Sequence, residues 1–333
     1  MIRLSQRLLL LGGLACFLST FGHSKVISAT DPPRGSISSE EPTPRETSRP
    51  EPTHWDVRYG KYHRNVLDVY LPPNAADSND PLPVFVFLHG GGWMAGDKRG
   101  VDPRWFLSQG MAFVSANYRF TIGSPNAAPY PAPMRDAARV VQYVRHRAND
   151  WNLDSSRIAL SGSSAGAVMA MWVAYQDDMA DPNSKDLVAK ESTRVTCVLP
   201  QDTPTTFDVD WILKNVGGPK QIHIATFPLF RIQDLKELRV DPKRQQVIEA
   251  TPVTHVSNDD PPTFLSYQLP MTPTPLPETA DQNLSIHHPR FGVYLSDKLQ
   301  AVNVPCYLQV KDQPAKLSRK QFLETYLLGH KGS

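Results

Sequence analysis

The stretch ALSGSSAGAVMAMWV (residues 159–173) contains Gly162-Ser163-Ser164-Ala165-Gly166, the pattern G-x-S-x-G. The residues before it, RIALSG, are a short apolar run of the kind that forms a buried strand. The residues after it, 165–176, are apolar on nearly every side and predict a helix packed inside the protein. Strand, small-residue turn and buried helix together make a nucleophile elbow. In such a turn small neighbours permit a strained backbone, and the serine hydroxyl stands exposed. The helix N-terminus behind Ser164 favours developing negative charge.

A second motif lies upstream. HGGGW (residues 89–93) ends the near-continuous apolar run LPVFVFLHG (residues 82–90), which reads as a strand buried on both faces. Glycines at such a place let backbone N–H groups approach a substrate oxygen. Gly91 and Gly92, with the N–H of Ala165, are therefore the expected oxyanion hole. Further strands are expected at residues 66–72, 111–120, 194–200, 263–269 and 306–310. Helices are expected at 103–108, 134–151, 208–216, 242–250, 291–301 and 319–328. Strand and helix alternate, which argues for an α/β fold with a mostly parallel sheet. Residues 203–262 read as a cap-like helical excursion over the active-site edge.

These motifs, with GDK (96–98), NYR (117–119), LDSSRIALSGSSAG (153–166) and TPVTHVSNDDPPTFL (251–265), resemble those of the α/β-hydrolase superfamily. The resemblance is to HGGG-type esterases and lipases, nearest the branch of bacterial acetylxylan/feruloyl esterase-like (BD-FAE-like) proteins and kynurenine formamidase-like enzymes. It spans about residues 55–330 and is most specific up to Gly166. It implies an eight-stranded sheet flanked by helices, serine esterase or lipase-like chemistry, and neither a metal nor an organic cofactor.

The acid and base depart from the family pattern. The acid is expected after the strand at 263–269, but that strand runs into PMTPTPLPETADQNLSIHHPRFG, where Asp281 is the nearest aspartate. Asp202, just past an earlier strand, is the alternative. The family's histidine belongs in the loop before the last helix, but KDQPAKLS (311–318) contains none. His330 lies beyond the final helix, as a frayed tail. His287 and His288 lie just before the 291–301 helix and close to Asp281 in the chain. A triad is defined by geometry and not by sequence position, so His287 is the expected base and His288 its alternative. A degenerate hydrolase that binds a ligand without turnover is the rival reading, motivated by the missing histidine.

The chain has 333 residues, 40% of them hydrophobic and 20% charged, which suits a globular domain with a sizeable core. A net charge of +2 gives no reason to expect nucleic acid as a partner. The expected partner is a small-molecule or carbohydrate ester. Arg3 and Arg7 precede an uncharged apolar run from Leu8 to Phe21. That run is too short for a comfortable membrane span and fits a signal peptide over residues 1–29. Export to the periplasm or the extracellular space follows. Residues 30–54 are rich in Pro, Ser, Thr and Glu and read as a disordered linker; the domain is expected over 55–331. Cys197 and Cys306 fall on strands with one strand between them. Two strand spacings come to roughly 9.6 Å, beyond the ~7 Å limit for a disulfide, so the two are expected to stay unpaired.

Overall fold

The computed structural model describes residues 49–73, 75, 80–220 and 223–329. The expected signal peptide, most of the expected linker and His330 lie outside the described residues. The end of that linker is attached to the domain. Arg49 donates to the Tyr70 hydroxyl at 2.9 Å, and Thr53 Oγ1 accepts the Leu71 N–H at 3.1 Å. The first strand starts at His54, one residue ahead of the expected boundary.

Eight strands form one sheet: β1 His54–Arg58, β2 Val66–Tyr70, β3 Leu82–Leu88, β4 Ala112–Ala116, β5 Leu153–Ser163, β6 Cys197–Gln201, β7 Thr263–Tyr267 and β8 Cys306–Val310. Their order is β1-β2-β4-β3-β5-β6-β7-β8. β1 and β2 pair antiparallel, as do β2 and β4, and every pair from β4 to β8 is parallel. The helices are α1 Arg104–Ser108, α2 Ala132–His146, α3 Ala165–Tyr175, α4 Val209–Asn215, α5 Thr226–Phe230, α6 Lys243–Ala250, α7 Gln282–Ile286, α8 Arg290–Ala301 and α9 Arg319–Leu323. This is the α/β-hydrolase arrangement that the sequence motifs imply.

The unbroken apolar run of β3 serves two cores. Val84, Val86 and Leu88 pack into the larger one with residues of α2 and α3, while Phe85 and Phe87 point to the other with Phe106 of α1 and Phe322 of α9. Strand alternation sends successive side chains to opposite faces, and here both faces are dry. Every residue of α3 is buried, as its all-round apolar sequence requires. Asp68, on β2, is fully buried. Its carboxylate is covered by Lys98 Nζ, 2.7 Å away, and Lys98 is itself only 2% exposed.

β7 separates β6 from β8, so Cys197 and Cys306 sit two strands apart, and both thiols are free. α3 approaches β3 very closely: a Cβ on Gly166 would lie 2.1 Å from the Leu88 carbonyl oxygen. Backbone cannot yield as a flexible side chain can. Gly166→Ala is therefore expected to destabilise by about 1–3 kcal/mol, as overpacked cores do. Gly100→Ala, with no atom within 4 Å of the added Cβ, should stay within about 0.5 kcal/mol of the parent. Thermal melting of the two variants checks this; equal melting temperatures would contradict the packing.

Candidate active site

The C-terminal ends of β3, β5, β6 and β7 meet at one edge of the sheet, where open α/β sheets hold their ligands. Ser164 follows β5 directly and caps α3, with φ +50° and ψ −118°. That is left-handed backbone for a non-glycine residue, the strain expected of an elbow. The turn is held by the Ser164 N–H donating to the Gln201 carbonyl at 2.9 Å and the Val168 N–H donating to the Ser164 carbonyl at 3.0 Å. A Cβ on Gly162 would lie 2.4 Å from the Gly166 carbonyl carbon, so the turn closes only with glycine there.

The HGGGW loop lies against this elbow. A Cβ on Gly90 would sit 3.4 Å from Ser164 Cβ. Gly91 has φ +107° and Gly92 φ +60°. Among the described residues neither amide donates a hydrogen bond. The Ala165 N–H opens α3 and, as a first-turn amide, has no intrahelical acceptor. Among the described residues the N–H groups of Gly91, Gly92 and Ala165 thus have no protein acceptor. His89 stacks on Tyr118 with ring centroids 4.4 Å apart. Its Nδ1 donates to the Gly90 carbonyl at 2.7 Å, and burial pushes its pKa down to about 4. A neutral His89 therefore braces the loop from behind.

The histidine at Ser164 comes from the insertion after β7. His287 Nε2 lies 2.9 Å from Ser164 Oγ. Burial lowers the pKa of His287 below its ordinary value, and the Asp202 carboxylate partly opposes that shift. Asp202 stands just past β6 at φ +43°, and its Oδ1 accepts the Gln268 N–H at 2.6 Å. His288 points elsewhere: it is fully buried, its Nε2 lies 3.0 Å from Thr272 Oγ1, and its Nδ1 accepts the Arg290 N–H.

Asp281 does not stand at His287, contrary to the sequence expectation. Its Oδ1 accepts the Leu284 N–H at 3.0 Å as the N-cap of α7. The atom facing His287 Nδ1 is Asn283 Oδ1, at 2.7 Å. The reason is helical geometry. Residues four apart share one face of a helix, so Asn283 lies beneath His287, while the capping residue precedes the first turn. The sequence does not mark Asn283, because an amide carries no acid signal. The readable signal was N-x-x-x-H behind a capping aspartate.

The Pro-rich insertion is pinned down. Leu276 N–H donates to the Val216 carbonyl at 2.8 Å, and Gly218 N–H donates to the Leu276 carbonyl at 3.0 Å. Gly217 and Gly218 have φ +78° and +92°, and a Cβ on Gly218 would lie 2.6 Å from Ser285 Cβ. The two glycines after α4 therefore let α7 dock at the site.

Ser164 opens into an apolar cavity walled by Trp93, Phe207, Ile212, Ile286 and Phe291. Residues from 203–262 supply much of its lining. His223, also unforeseen, lies in its wall, with Nδ1 accepting the Ala225 N–H at 3.2 Å. The indole Nε1 of Trp93 is buried without a hydrogen-bond partner among the described residues. No helix of the described residues is long and apolar enough to cross a membrane.

Comparison with known proteins agrees with the fold. The chain is 29% identical to the probable carboxylic ester hydrolase LipM of Mycobacterium tuberculosis over 214 residues, which is 63% of this chain and 46% of LipM. It is 38% identical to the carboxylesterase NlhH of the same organism over 118 residues, 34% of this chain and 35% of NlhH. The chain thus spans less than half the length of these two curated relatives. A solved structure of an acetyl ester-xyloside bifunctional hydrolase from Caldicellulosiruptor lactoaceticus superposes with a TM-score of 0.58 at 22% identity, over 80% of this chain and 89% of that one. The BD-FAE family model matches residues 67–268, more than half of the sequence. The chain belongs to the BD-FAE family.

Proposed function

We propose that the protein is a serine hydrolase of carboxylic esters with short acyl groups. The observation that carries the reading is the 2.9 Å contact between His287 Nε2 and Ser164 Oγ at a strained strand-to-helix turn. The esterase relatives support it. A serine hydroxyl needs a base to attack at neutral pH, and His287 supplies the imidazole that the final loop lacks.

In this mechanism Ser164 Oγ attacks the acyl carbon while its proton passes to His287 Nε2. The carbonyl oxygen gains negative charge and is received by the N–H groups of Gly91, Gly92 and Ala165. His287 then gives the proton to the leaving alcohol oxygen, and an acyl-Ser164 ester remains. Water attacks that ester by the reverse route, its proton going to His287 and then back to Ser164. The lowered pKa of His287 keeps the imidazole neutral, the form that accepts a proton.

The cavity at Ser164, walled by Trp93, Phe207, Ile212 and Phe291, favours short apolar acyl chains. Esters borne on carbohydrate are the substrate class that the acetyl ester-xyloside neighbour supports. An exported enzyme would meet such esters outside the cell, and the apolar segment of the first 29 residues supports export.

Ser164→Ala should abolish hydrolysis of nitrophenyl acetate, and His287→Ala should lower kcat by ~10²–10⁴-fold, the usual worth of general-base assistance. Turnover by a folded Ser164→Ala protein at the parent rate would sink the reading. Acetate and butyrate esters should be cut much faster than palmitate, which a series of nitrophenyl esters measures. The pH profile supplies another check. A base is active when neutral, so kcat/KM should fall only as the pH drops through a midpoint below 6.5. Asp202→Asn keeps the acceptor for Gln268 but removes the charge that raises the His287 pKa. Its acid limb should move to still lower pH; a move upward would contradict the stated electrostatics.

A further inference from the structure

The partner of a catalytic imidazole has two tasks. It holds the ring in one tautomer and orientation, and when it is a carboxylate it also stabilises the imidazolium. At His287 these two tasks fall to different residues. We infer that Asn283 is the positioning residue of the Ser164–His287 pair, an uncharged amide standing where a carboxylate would otherwise stand. The inference rests on the reading of Ser164 and His287 as nucleophile and base.

The geometry carries it in three steps. First, Asn283 Oδ1 is 2.7 Å from His287 Nδ1. For Nε2 to accept the serine proton, Nδ1 must carry the ring's hydrogen, and of the Asn283 amide only the oxygen can receive it. The amide oxygen therefore selects the tautomer the chemistry needs. Second, the same two residues are tied through the backbone, since the His287 N–H donates to the Asn283 carbonyl at 3.1 Å. Asp281 caps the other end of α7, so both residues sit on one rigid turn. Third, the charged and titratable groups around His287 leave the charge-stabilising task to one carboxylate. His223, across the cavity, is another imidazole, and its pKa is lowered by burial and by His287. Asp202 is the carboxylate, acting through space while its Oδ1 holds Gln268.

An amide that orients without charge leaves the imidazole a weaker base than a contacting carboxylate would. Burial and the charge of Asp202 then govern the His287 pKa, and a carboxylate at residue 283 would add a second charge at the ring.

The test is the pH profile of kcat and kcat/KM on nitrophenyl acetate for the full chain and for Asn283→Asp, Asn283→Ala and Asp202→Asn. Asn283→Asp should shift the acid limb upward by about one pH unit, as an adjacent opposite charge does. Asn283→Ala should lower kcat by roughly five- to ten-fold, the worth of one exposed hydrogen bond, with KM little changed. Asn283→Asp is close to isosteric and decides the matter even if the alanine variant folds poorly. An acid limb that does not move in Asn283→Asp, beside inactive Ser164→Ala and His287→Ala proteins, overturns the role of Asn283 and leaves the esterase reading standing. A large loss in Asp202→Asn with none in Asn283→Ala overturns it in favour of Asp202. An active Ser164→Ala protein overturns the underlying reading instead.

Discussion

The site depends on how closely the start of α3 approaches the end of β3. A Cβ at Gly166 would meet the Leu88 and His89 carbonyl oxygens at 2.1 and 2.5 Å. Only glycine permits that approach, and the approach puts two motifs that are distant in sequence side by side. With α3 pressed against β3, Ser164 must turn through φ +50° to join β5 to the helix. The same contact brings Gly90 against Ser164 Cβ, so the HGGGW loop lies beside the start of α3. Left-handed backbone at a serine is unfavourable by itself. It persists because α3 is buried along its whole length and cannot rotate to relieve it.

The loop after β3 must be equally fixed, and buried polar pairs do this. Lys98 Nζ reaches Asp68 at 2.7 Å and Asp56 at 2.9 Å. The Lys98 N–H donates to Asn117 Oδ1 at 2.7 Å, and Asn117 Nδ2 donates to Asp97 at 2.8 Å. The Tyr118 hydroxyl donates to the His89 carbonyl at 2.7 Å. Arg119 forms a two-pronged pair with Asp136 on α2. GDK and NYR thus form one polar clamp around the glycine loop. A buried ion pair adds little net stability, since desolvation offsets most of its attraction. Its strength lies in direction: these donors and acceptors meet in only one register of the loop.

What was legible in the sequence follows from which interactions are local. The all-apolar helix after Ser164, the two-faced strand at Leu82–Leu88 and the strand-helix alternation are properties of short windows. The glycine spacings in HGGGW and around Ser164 reveal close approach for the same reason. Asp281 misled because a carboxylate near a histidine in the chain can be used up as a helix cap. Asn283 and His223 were invisible for another reason. An amide signals no acid, and a histidine in a loop gains meaning only when the fold turns it toward Ser164.

The sheet order shows why a histidine from the wrong loop can still reach the serine. The parallel strands run β5-β6-β7-β8, so β8 is three places from the strand that carries Ser164, and β7 is two. A loop after β8 must cross more of the sheet edge than one after β7. Here the chain after β8 turns back at once, with Val310 and Gln313 exchanging hydrogen bonds at 2.9 Å. The insertion after β7 instead runs toward α4, locks onto Val216 and Gly218, and brings α7 back over Ser164. The i to i+4 pair on that short helix then holds the ring in place, which a flexible loop would not do. The insertion therefore carries both the proposed base, His287, and the Asn283 amide that faces its ring. What it lacks is a negative charge at the ring, and the nearby Asp202, at the end of β6, supplies that from outside the insertion.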